Sequence, residues 1–254
     1  MTNFRGKTAI ITGGGIGIGF EIARQLSSKG ANIILNDINP EVALSAKEKL
    51  DKENGTCAII VGDSSDISVI KKMIKTAEEN FNGVDMTIAN AGITTFGEFL
   101  TYSEDDFQKL TDVNLKGTFF LAQKSALSMI KNKKEGRILL MSSVTGHQAH
   151  KNLAAYGMSK AAIRALAKIL SFELGPKNIT VNAISPGATI TERTLALDDH
   201  FEKQWEKITP TGKVTSTAEI AHTALFLLSP NAGQINGQTI IVDGGWTCTS
   251  PQPE

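Results

Sequence analysis

The sequence has few cysteines, no excess of either charge and no long apolar run. Its 254 residues include two cysteines, Cys57 and Cys248, and this number and spacing give no indication of a disulfide framework or a cysteine metal site. Basic and acidic residues number 26 each, so the net charge favours neither a nucleic-acid nor an anionic-membrane partner. We therefore expect a small-molecule partner, no nucleic acid, no membrane and no metal.

Long apolar segments and linkers are also absent from the sequence. No stretch approaches about 20 consecutive apolar residues, and the start, MTNFRGKTAIIT, contains no long apolar run after a basic patch. These absences predict a soluble, cytoplasmic protein. Because neither a Pro/Gly/Ser-rich linker nor an internal repeat occurs, we expect one domain over residues 1–254, with residues 249–254 as a frayed tail.

The chain alternates short β-branched runs with longer segments of helical pattern. The apolar runs are continuous rather than alternating, which is typical of strands buried on both faces. They cover residues 8–12, 31–37, 56–63, 84–90, 137–143, 179–185 and 239–245. The segments between them place apolar residues three and four apart, as amphipathic helices do. The sequence therefore predicts an α/β Rossmann fold, a doubly wound seven-stranded parallel sheet with helices on both faces.

Five glycines stand within positions 13–19, between the first predicted strand and the first predicted helix. Glycine is entropically costly in ordered structure, so this density indicates that something approaches the backbone closely. A tight turn at a helix N-terminus suits the pyrophosphate of a dinucleotide. The spacing is T-G-x-x-x-G-I-G rather than G-x-G-x-x-G. A turn without a ligand is the alternative, but such turns rarely need more than one or two glycines.

Asp37 ends the second predicted strand, where a carboxylate can accept hydrogen bonds from both ribose hydroxyls of a dinucleotide. The same charge would repel a 2'-phosphate, and residues 38–40 supply no arginine to offset it. We therefore expect NAD (NADH) rather than NADP as the cofactor. The alternative is that Asp37 is a turn-forming residue at a strand end.

Tyr156 and Lys160 lie four residues apart on a helical pattern, so both side chains project from one face. A free tyrosine titrates near about 10 and is a poor base at neutral pH, but an adjacent ammonium favours the phenolate. Such a pair can exchange a proton with a carbinol or carbonyl oxygen. Ser143, at the end of the fifth predicted strand, can hydrogen-bond the oxygen on which charge develops.

These features together resemble the short-chain dehydrogenase/reductase family, in its NAD-preferring branch of chains about as long as this one. The matches follow the family's order, cover nearly the whole chain and are highly specific in combination. They are TGGGIGIG (12–19), Asp63, ANAG (89–92), Asn114 in DVNLKGTFF, Ser143, YGMSK (156–160), SPGATIT (185–191) and DGG (243–245). One departure is Ala89, where the family often has a second asparagine before Asn90.

The resemblance implies a role for each catalytic residue. Tyr156 would be the general acid/base, and Ser143 would donate a hydrogen bond to the substrate oxygen. Lys160 would anchor the ribose and favour the phenolate, while Asn114 would hold a water in a proton relay. The family also implies a homo-oligomer, commonly a tetramer.

The resemblance also implies a set of cofactor-binding residues. Asp63 would meet the adenine amino group, Asn90 the adenosine side and Thr191 the nicotinamide carboxamide, with the Pro186–Gly187 turn against the ring. The full expected set is Gly13, Gly15, Gly17, Ile18, Gly19, Asp37, Asp63, Asn90, Ala91, Gly92, Tyr156, Lys160, Pro186, Gly187, Thr189 and Thr191.

A long polar segment, residues 189–212, follows the sixth predicted strand and is predicted to be a substrate lid. With it, the segments after Gly92 and Ser143 should wall the substrate pocket, and the expected substrate residues are Thr94, Thr145, His150, Arg193 and Trp205. This mixture favours a sugar, sugar acid or polyol over a long acyl chain. Hydroxysteroid dehydrogenase and 3-oxoacyl-acyl-carrier-protein reductase activities remain alternatives.

Other classes of protein fit the sequence less well. Ser159 in GMSKA lacks the final glycine and the preceding strand of a hydrolase nucleophile elbow. His147 and His150 lack the glutamate-bearing H-E-x-x-H pattern of a metal hydrolase. A methyltransferase has no use for the serine, tyrosine and lysine together, and enoyl reductases space tyrosine and lysine more widely. A non-catalytic NAD sensor or scaffold is the remaining alternative of another class.

Overall fold

The structure, a computed structural model, describes residues 3–249. Its strands are β1 (Thr8–Thr12), β2 (Asn32–Asp37), β3 (Cys57–Val61), β4 (Met86–Ala89), β5 (Gly136–Met141), β6 (Ile179–Pro186), β7 (Thr189–Ile190), β8 (Thr215–Ser216) and β9 (Thr239–Val242). Its helices are α1 (Gly17–Ser28), α2 (Pro40–Leu50), α3 (Ile67–Phe81), α4 (Glu104–Thr111), α5 (Thr118–Lys131), α6 (Ala154–Leu174), α7 (Glu192–Leu197), α8 (Phe201–Glu206) and α9 (Thr217–Leu228). A π-helical stretch, Asp112–Gly117, joins α4 to α5. The proposed frayed tail lies outside the described residues except for Thr249.

Seven of the strands form one parallel sheet in the order β3-β2-β1-β4-β5-β6-β9. Each is the core of one of the seven predicted runs, shortened or extended by at most three residues at an end. The predicted doubly wound α/β fold is therefore confirmed. Because all seven strands are parallel, their carboxyl ends and the loops that follow them lie along one edge of the sheet.

The strands are buried on both faces, which explains their continuous apolar runs. In β2, Ile33 and Leu35 pack into the core beneath α1, α2 and α9, while Ile34 packs into the core beneath α3, α5 and α6. All three side chains are fully buried. Helices on both faces leave the carboxyl edge of the sheet as the place where a ligand can reach several strands at once.

Chain order reverses between β1 and β4. From β1 the chain builds outward to β2 and β3, and β4 then returns to the other side of β1. The loops after β1 and β4 therefore diverge and leave a crevice at the carboxyl edge, where open α/β sheets bind ligands. The glycine-rich turn follows β1, and the ANAG motif follows β4.

The predicted lid contains a short strand and two short helices that its sequence pattern does not predict. β7 pairs with β8 in a small parallel sheet, and α7 and α8 follow β7. Thr191 caps α7 by accepting a hydrogen bond from the backbone of Thr194 at 3.1 Å. Two helices of six residues each are too short for apolar periodicity to reveal. We use "lid" below for residues 189–212.

Within the part of the chain that the structure describes, none of the helices combines the length and the apolar character that a membrane span requires.

Candidate active site

The glycine-rich turn places α1 almost against the end of β1. Gly13 and Gly17 have φ angles of +58° and +59°, which other residues rarely adopt. At Gly19, an added Cβ would lie 2.3 Å from the Gly13 carbonyl oxygen and 2.5 Å from Asn90 Nδ2. No side chain fits at position 19. Two left-handed turns and one close backbone approach thus account for three of the five glycines.

Asn90 locks this turn to the loop after β4. Its Nδ2 donates to the Thr12 carbonyl at 3.0 Å and to the Gly13 carbonyl at 2.9 Å. Thr12 Oγ1 accepts in return from the backbone N–H groups of Asn90 and Ala91. Asn90 therefore holds the two sides of the crevice together.

The crevice between β1 and β4 has a volume of about 360 Å³. Many of the residues expected to bind the cofactor line it: Gly13, Gly17, Ile18, Asp37, Asp63, Asn90, Ala91, Gly92 and Thr191. Gly15 and Gly19 are not among its lining residues. The Gly15 backbone N–H instead donates to Asp37 Oδ2 at 3.1 Å, so that Gly15 positions the carboxylate. A direct contact of Gly15 or Gly19 with a cofactor stays a prediction.

Two of the acidic side chains that line the crevice, those of Asp37 and Asp63, are held by backbone N–H groups of the turns that follow their strands. Asp37 Oδ1 accepts from the Asn39 N–H at 3.0 Å, and Asp63 Oδ1 accepts from the Ser65 N–H at 2.8 Å. Each carboxylate is thereby fixed at the end of its strand. Asp37 thus does form a strand-end turn, as the alternative interpretation expected, and it also faces the crevice.

A second cavity, of about 620 Å³, adjoins the crevice, and Ile18, Asn90, Gly92, Thr191 and Arg193 border both. Its walls contain three of the four predicted catalytic residues, Ser143, Tyr156 and Lys160. They also contain Pro186, Gly187 and Thr189. The cavity therefore brings together the end of β5, the first turns of α6 and the loop after β6.

Lys160 is buried, with 4% of its surface exposed, and its ammonium has defined neighbours. Nζ donates to the Met141 carbonyl at 2.8 Å and lies 5.5 Å from the centroid of the Tyr156 ring. Burial lowers the pKa of Lys160, and the negative charge that Tyr156 carries as phenolate acts in the opposite direction. The buried ammonium and the Tyr156 ring therefore stand side by side in one wall of the cavity.

Ser143 is oriented by Thr145. Ser143 Oγ accepts hydrogen bonds from Thr145 Oγ1 at 3.0 Å and from the Thr145 N–H at 3.3 Å. Since both bonds use the lone pairs of the serine oxygen, its own hydrogen remains available to a substrate oxygen. Thr145, expected as a substrate residue, lines the cavity and also positions Ser143.

Asn114 is fully buried in the π-helical stretch and lines neither cavity. Its Oδ1 accepts from the Ile93 N–H at 2.9 Å and its Nδ2 donates to the Ile93 carbonyl at 3.0 Å. Nδ2 also donates to Ser159 Oγ, which donates to the Tyr156 carbonyl. Asn114 therefore joins the loop after β4 to the catalytic turn of α6. The water relay stays a prediction.

Gly92 separates Lys160 from Asn114. An added Cβ at this position would lie 3.2 Å from Lys160 Nζ and 3.3 Å from Asn114 Oδ1. A side chain here would press against both the ammonium and the amide. The arrangement of Lys160 and Asn114 therefore favours glycine at position 92.

All five expected substrate residues, Thr94, Thr145, His150, Arg193 and Trp205, line the second cavity. Sequence reasoning missed several others: Lys151, Leu153, Leu197, Asp198 and Phe201. Three of these are apolar, so the wall is less polar than expected. Leu197, Asp198 and Phe201 belong to the lid, which was expected to border the pocket, but they lie on or beside helices that the sequence did not predict. Lys151 lies in residues 144–152, which were also expected there, and Leu153 directly follows them.

An aromatic cluster closes one side of this cavity. The ring of Trp246 lies 5.6 Å from Trp205 of α8 and 5.2 Å from His150, measured between centroids. Burial lowers the pKa of His150, so its imidazole is neutral near pH 7. His147 and Gln148, in contrast, are engaged by Ser185 and by the Thr247 carbonyl.

The crevice fits a dinucleotide. Ile16, which precedes α1, makes no side-chain cap, and the first turn of α1 carries no acidic residue. The helix N-terminus therefore has no cap from its own segment, and its backbone N–H groups suit a diphosphate. Asp37 lines the crevice, and the second cavity adjoins it. Such a fold and site define an oxidoreductase that binds a nicotinamide cofactor.

Comparison with known proteins places the chain in a family. A family model described as Enoyl-(Acyl carrier protein) reductase matches residues 14–247. The 3-oxoacyl-[acyl-carrier-protein] reductase FabG of Chlamydia trachomatis is 35% identical over 240 residues, which are 94% of this chain and 96% of that protein. The chain belongs to the short-chain dehydrogenase/reductase family, as its motifs predicted.

Relatives of similar likeness have other activities. The diacetyl reductase [(S)-acetoin forming] of Staphylococcus epidermidis is 34% identical over 254 residues, covering 94% of this chain and 98% of that one. A crystal structure of gluconate 5-dehydrogenase from Burkholderia cenocepacia, in complex with NADP and tartrate, superposes with a TM-score of 0.88. It is 32% identical, and the match covers 98% of each chain.

The close approach at Gly19 predicts the effect of one methyl group. We expect Gly19→Ala to force α1 away from Gly13, to abolish measurable NADH binding and to lower the free energy of unfolding by about 2 kcal/mol or more. Gly175→Ala is the matched control, because its nearest neighbour would lie 3.5 Å from the added Cβ. Denaturant titration and nucleotide fluorescence measure the two effects. Normal NADH binding by Gly19→Ala would contradict the role given to this glycine.

Proposed function

We propose that the protein is an NAD(H)-dependent oxidoreductase that interconverts a secondary alcohol and a ketone or aldehyde. The observation that carries the proposal is the buried Lys160 ammonium 5.5 Å from the centroid of the Tyr156 ring, in a cavity that also exposes Ser143. This set supplies an acid/base and a hydrogen-bond donor for one substrate oxygen. The cavity adjoins the crevice that fits the cofactor.

Each residue has one task in this reaction. When bound, the nicotinamide ring supplies the hydride in reduction and accepts it in oxidation. Tyr156 donates its phenolic proton to the substrate oxygen in reduction and, as the phenolate, takes that proton in oxidation. Ser143 donates a hydrogen bond to the same oxygen, and Lys160 stabilises the phenolate. Asn114 fixes the loop that carries Gly92.

The residues favour carbonyl over enoyl reduction, although the matching family model is described as an enoyl reductase. Tyr156 and Lys160 are four residues apart on one face of α6, and Ser143 lines the same cavity. A serine hydroxyl beside a tyrosine can donate a hydrogen bond to a substrate oxygen that gains negative charge when hydride reaches the carbon bearing it. Reduction of a carbon-carbon double bond places no such oxygen at the reacting carbon.

Tyr156→Phe separates an enzyme from an NAD sensor. We expect the variant to lose at least about 100-fold in kcat because the proton donor is absent, while the Kd for NADH stays within about threefold. Stopped-flow absorbance and nucleotide fluorescence provide the two measurements. A wild-type protein that binds NADH but turns over no member of a broad carbonyl and alcohol panel would favour the sensor.

The preference for NAD rests on the charge at Asp37. Its carboxylate is fixed at the crevice by Gly15 and Asn39, so it cannot turn away from a 2'-phosphate without breaking both contacts. Among the described residues lining the crevice, Arg193 is the basic one, and its guanidinium reaches toward the Thr94 carbonyl. The bound NADP belongs to the gluconate 5-dehydrogenase. For this chain, repulsion at Asp37 supports NAD.

Asp37→Asn tests this preference directly. Loss of the charge removes the repulsion, so we expect the ratio of kcat/KM for NADH to that for NADPH to fall at least about tenfold. Glu41→Gln is the matched control, because it removes a nearby exposed charge on α2 that does not line the crevice. If the wild type prefers NADPH, or if both variants keep the wild-type ratio, Asp37 does not set the preference.

For the substrate, we propose a small hydroxylated molecule such as a sugar, sugar acid or polyol. The cavity wall contains hydrogen-bonding and cationic groups from Thr94, Thr145, His150, Lys151 and Arg193. Arg193 and Lys151 would suit a carboxylate on the substrate. The apolar groups Leu153, Leu197 and Phe201 favour a second candidate, a 3-oxoacyl thioester, and a hydroxysteroid is a further alternative.

A substrate panel distinguishes these candidates. We expect sugars, polyols and keto sugar acids to give kcat/KM at least about tenfold above 3-oxoacyl esters, steroids and enoyl esters when NADH absorbance is followed. Arg193→Gln should raise KM for an acidic substrate more than for its neutral analogue. A 3-oxoacyl or steroid substrate that outperforms all hydroxylated ones would overturn this choice.

We also propose a single-domain, cytoplasmic protein that forms a homo-oligomer, in line with the tetramers common in the family. Apolar side chains exposed on α5 and α6 support association of copies. They are Phe119, Leu127, Ile130, Met158, Ile169 and Phe172. Phe172 is 86% exposed, which is unusual for a side chain of this size in a solitary chain.

A further inference from the structure

Glu192, the first residue of α7 in the lid, reaches across to the glycine-rich turn. Its Oε2 accepts a hydrogen bond at 3.1 Å from the backbone N–H of Gly17, the first residue of α1. The two residues are 175 positions apart in the chain. A lid carboxylate thus caps the helix N-terminus that has no local side-chain cap.

The contact is more than one hydrogen bond. An added Cβ at Gly17 would lie 3.4 Å from Thr191 Cγ2 and 3.8 Å from Glu192 Oε2, so the start of α7 rests on the glycine turn. Gly17, Thr191 and Glu192 all line the crevice. The anion that this helix N-terminus attracts is, in the structure, supplied by the protein itself.

We propose that Glu192 is a latch that holds the lid on the cofactor site and must leave when the cofactor diphosphate binds. This inference rests on the proposed NAD(H) function. Two anions cannot share the N–H of Gly17, because a carboxylate beside a diphosphate is repelled and each needs the same donor. Binding of the diphosphate therefore releases the start of α7.

Release of Glu192 also affects the substrate cavity. Part of that cavity wall comes from the lid, through Thr194, Leu197, Asp198, Phe201 and Trp205. Movement of α7 consequently changes the wall against which a substrate packs. The cofactor and the lid are linked in both directions: the cofactor releases the lid, and any change that releases the lid strengthens cofactor binding by the same factor.

The chain's two tryptophans make the lid observable. Trp205 lies in α8 of the lid and Trp246 packs against it, so intrinsic tryptophan emission reports this corner of the molecule. ADP-ribose serves as the ligand in this measurement, because it carries the diphosphate without a nicotinamide ring that would absorb the emission. Adenosine, which lacks phosphate, is the ligand control.

Glu192→Ala and Glu192→Gln test the latch, with Glu202→Gln as the matched control, an exposed charge in α8 of the same lid. We expect Glu192→Ala to lower the Kd for NADH and for ADP-ribose about five- to tenfold, with adenosine affinity unchanged. Glu192→Gln keeps a hydrogen-bond acceptor but loses the charge. Its Kd values for the two ligands should therefore lie between those of the wild type and those of Glu192→Ala. The emission of ligand-free Glu192→Ala should resemble that of wild-type protein with ADP-ribose bound.

The outcomes separate this inference from the proposed function. Wild-type protein that binds neither NADH nor ADP-ribose overturns the NAD(H) proposal itself. Wild-type protein that binds both, with unchanged or weaker affinity in both folded Glu192 variants, overturns the latch alone. The latch is also overturned if Glu192→Ala binds adenosine more tightly by the same factor, because adenosine has no diphosphate to compete for the Gly17 N–H. It is likewise overturned if Glu202→Gln shows the same gain in affinity, because Glu202 does not contact Gly17.

Discussion

The burial of one ammonium group, that of Lys160, is the constraint on which the site depends. A charge removed from water is tolerated only while its partners stay in place. Those partners come from separate elements: the Met141 carbonyl ends β5 and Tyr156 lies one turn earlier on α6, while the absence of a side chain at Gly92, after β4, leaves room for the ammonium. The same buried charge therefore fixes the end of β5 against α6.

The sheet could be predicted from sequence because its signals are local. A parallel strand buried on both faces must be apolar at consecutive positions, and the seven runs satisfied this condition. The glycine turn could also be predicted, since the left-handed backbone at Gly13 and Gly17 favours glycine and the close approach at Gly19 leaves no room for a side chain. Tyr156, Lys160 and Ser143 were found because one face of α6 and one strand end carry them.

Other parts of the site depend on contacts that no local pattern encodes. The hydrogen bond from the Gly17 N–H to Glu192 joins residues 175 positions apart. The sequence near either residue contains no pattern that predicts this contact. α7 and α8 are too short to show periodicity, so the apolar side chains of Leu197 and Phe201 could not be assigned to the substrate wall. The side chain of Asn114 was expected at the reaction centre, yet its contacts are with the Ile93 backbone and Ser159.

The π-helical stretch, Asp112–Gly117, has a consequence for insertions and deletions. An α-helix turns about 100° per residue, but a π-helical turn takes up one residue more, so the extra residue is absorbed without rotating the helix that follows. Upstream of the stretch, Leu110 is buried; within it, Asn114 reaches Ile93; beyond it, Leu121 and Ala122 face the sheet. Loss of one residue here would return the stretch to an ordinary α-turn and leave α5 on the core, whereas a side chain at Gly117 would meet the Ser64 carbonyl oxygen, 2.9 Å from an added Cβ.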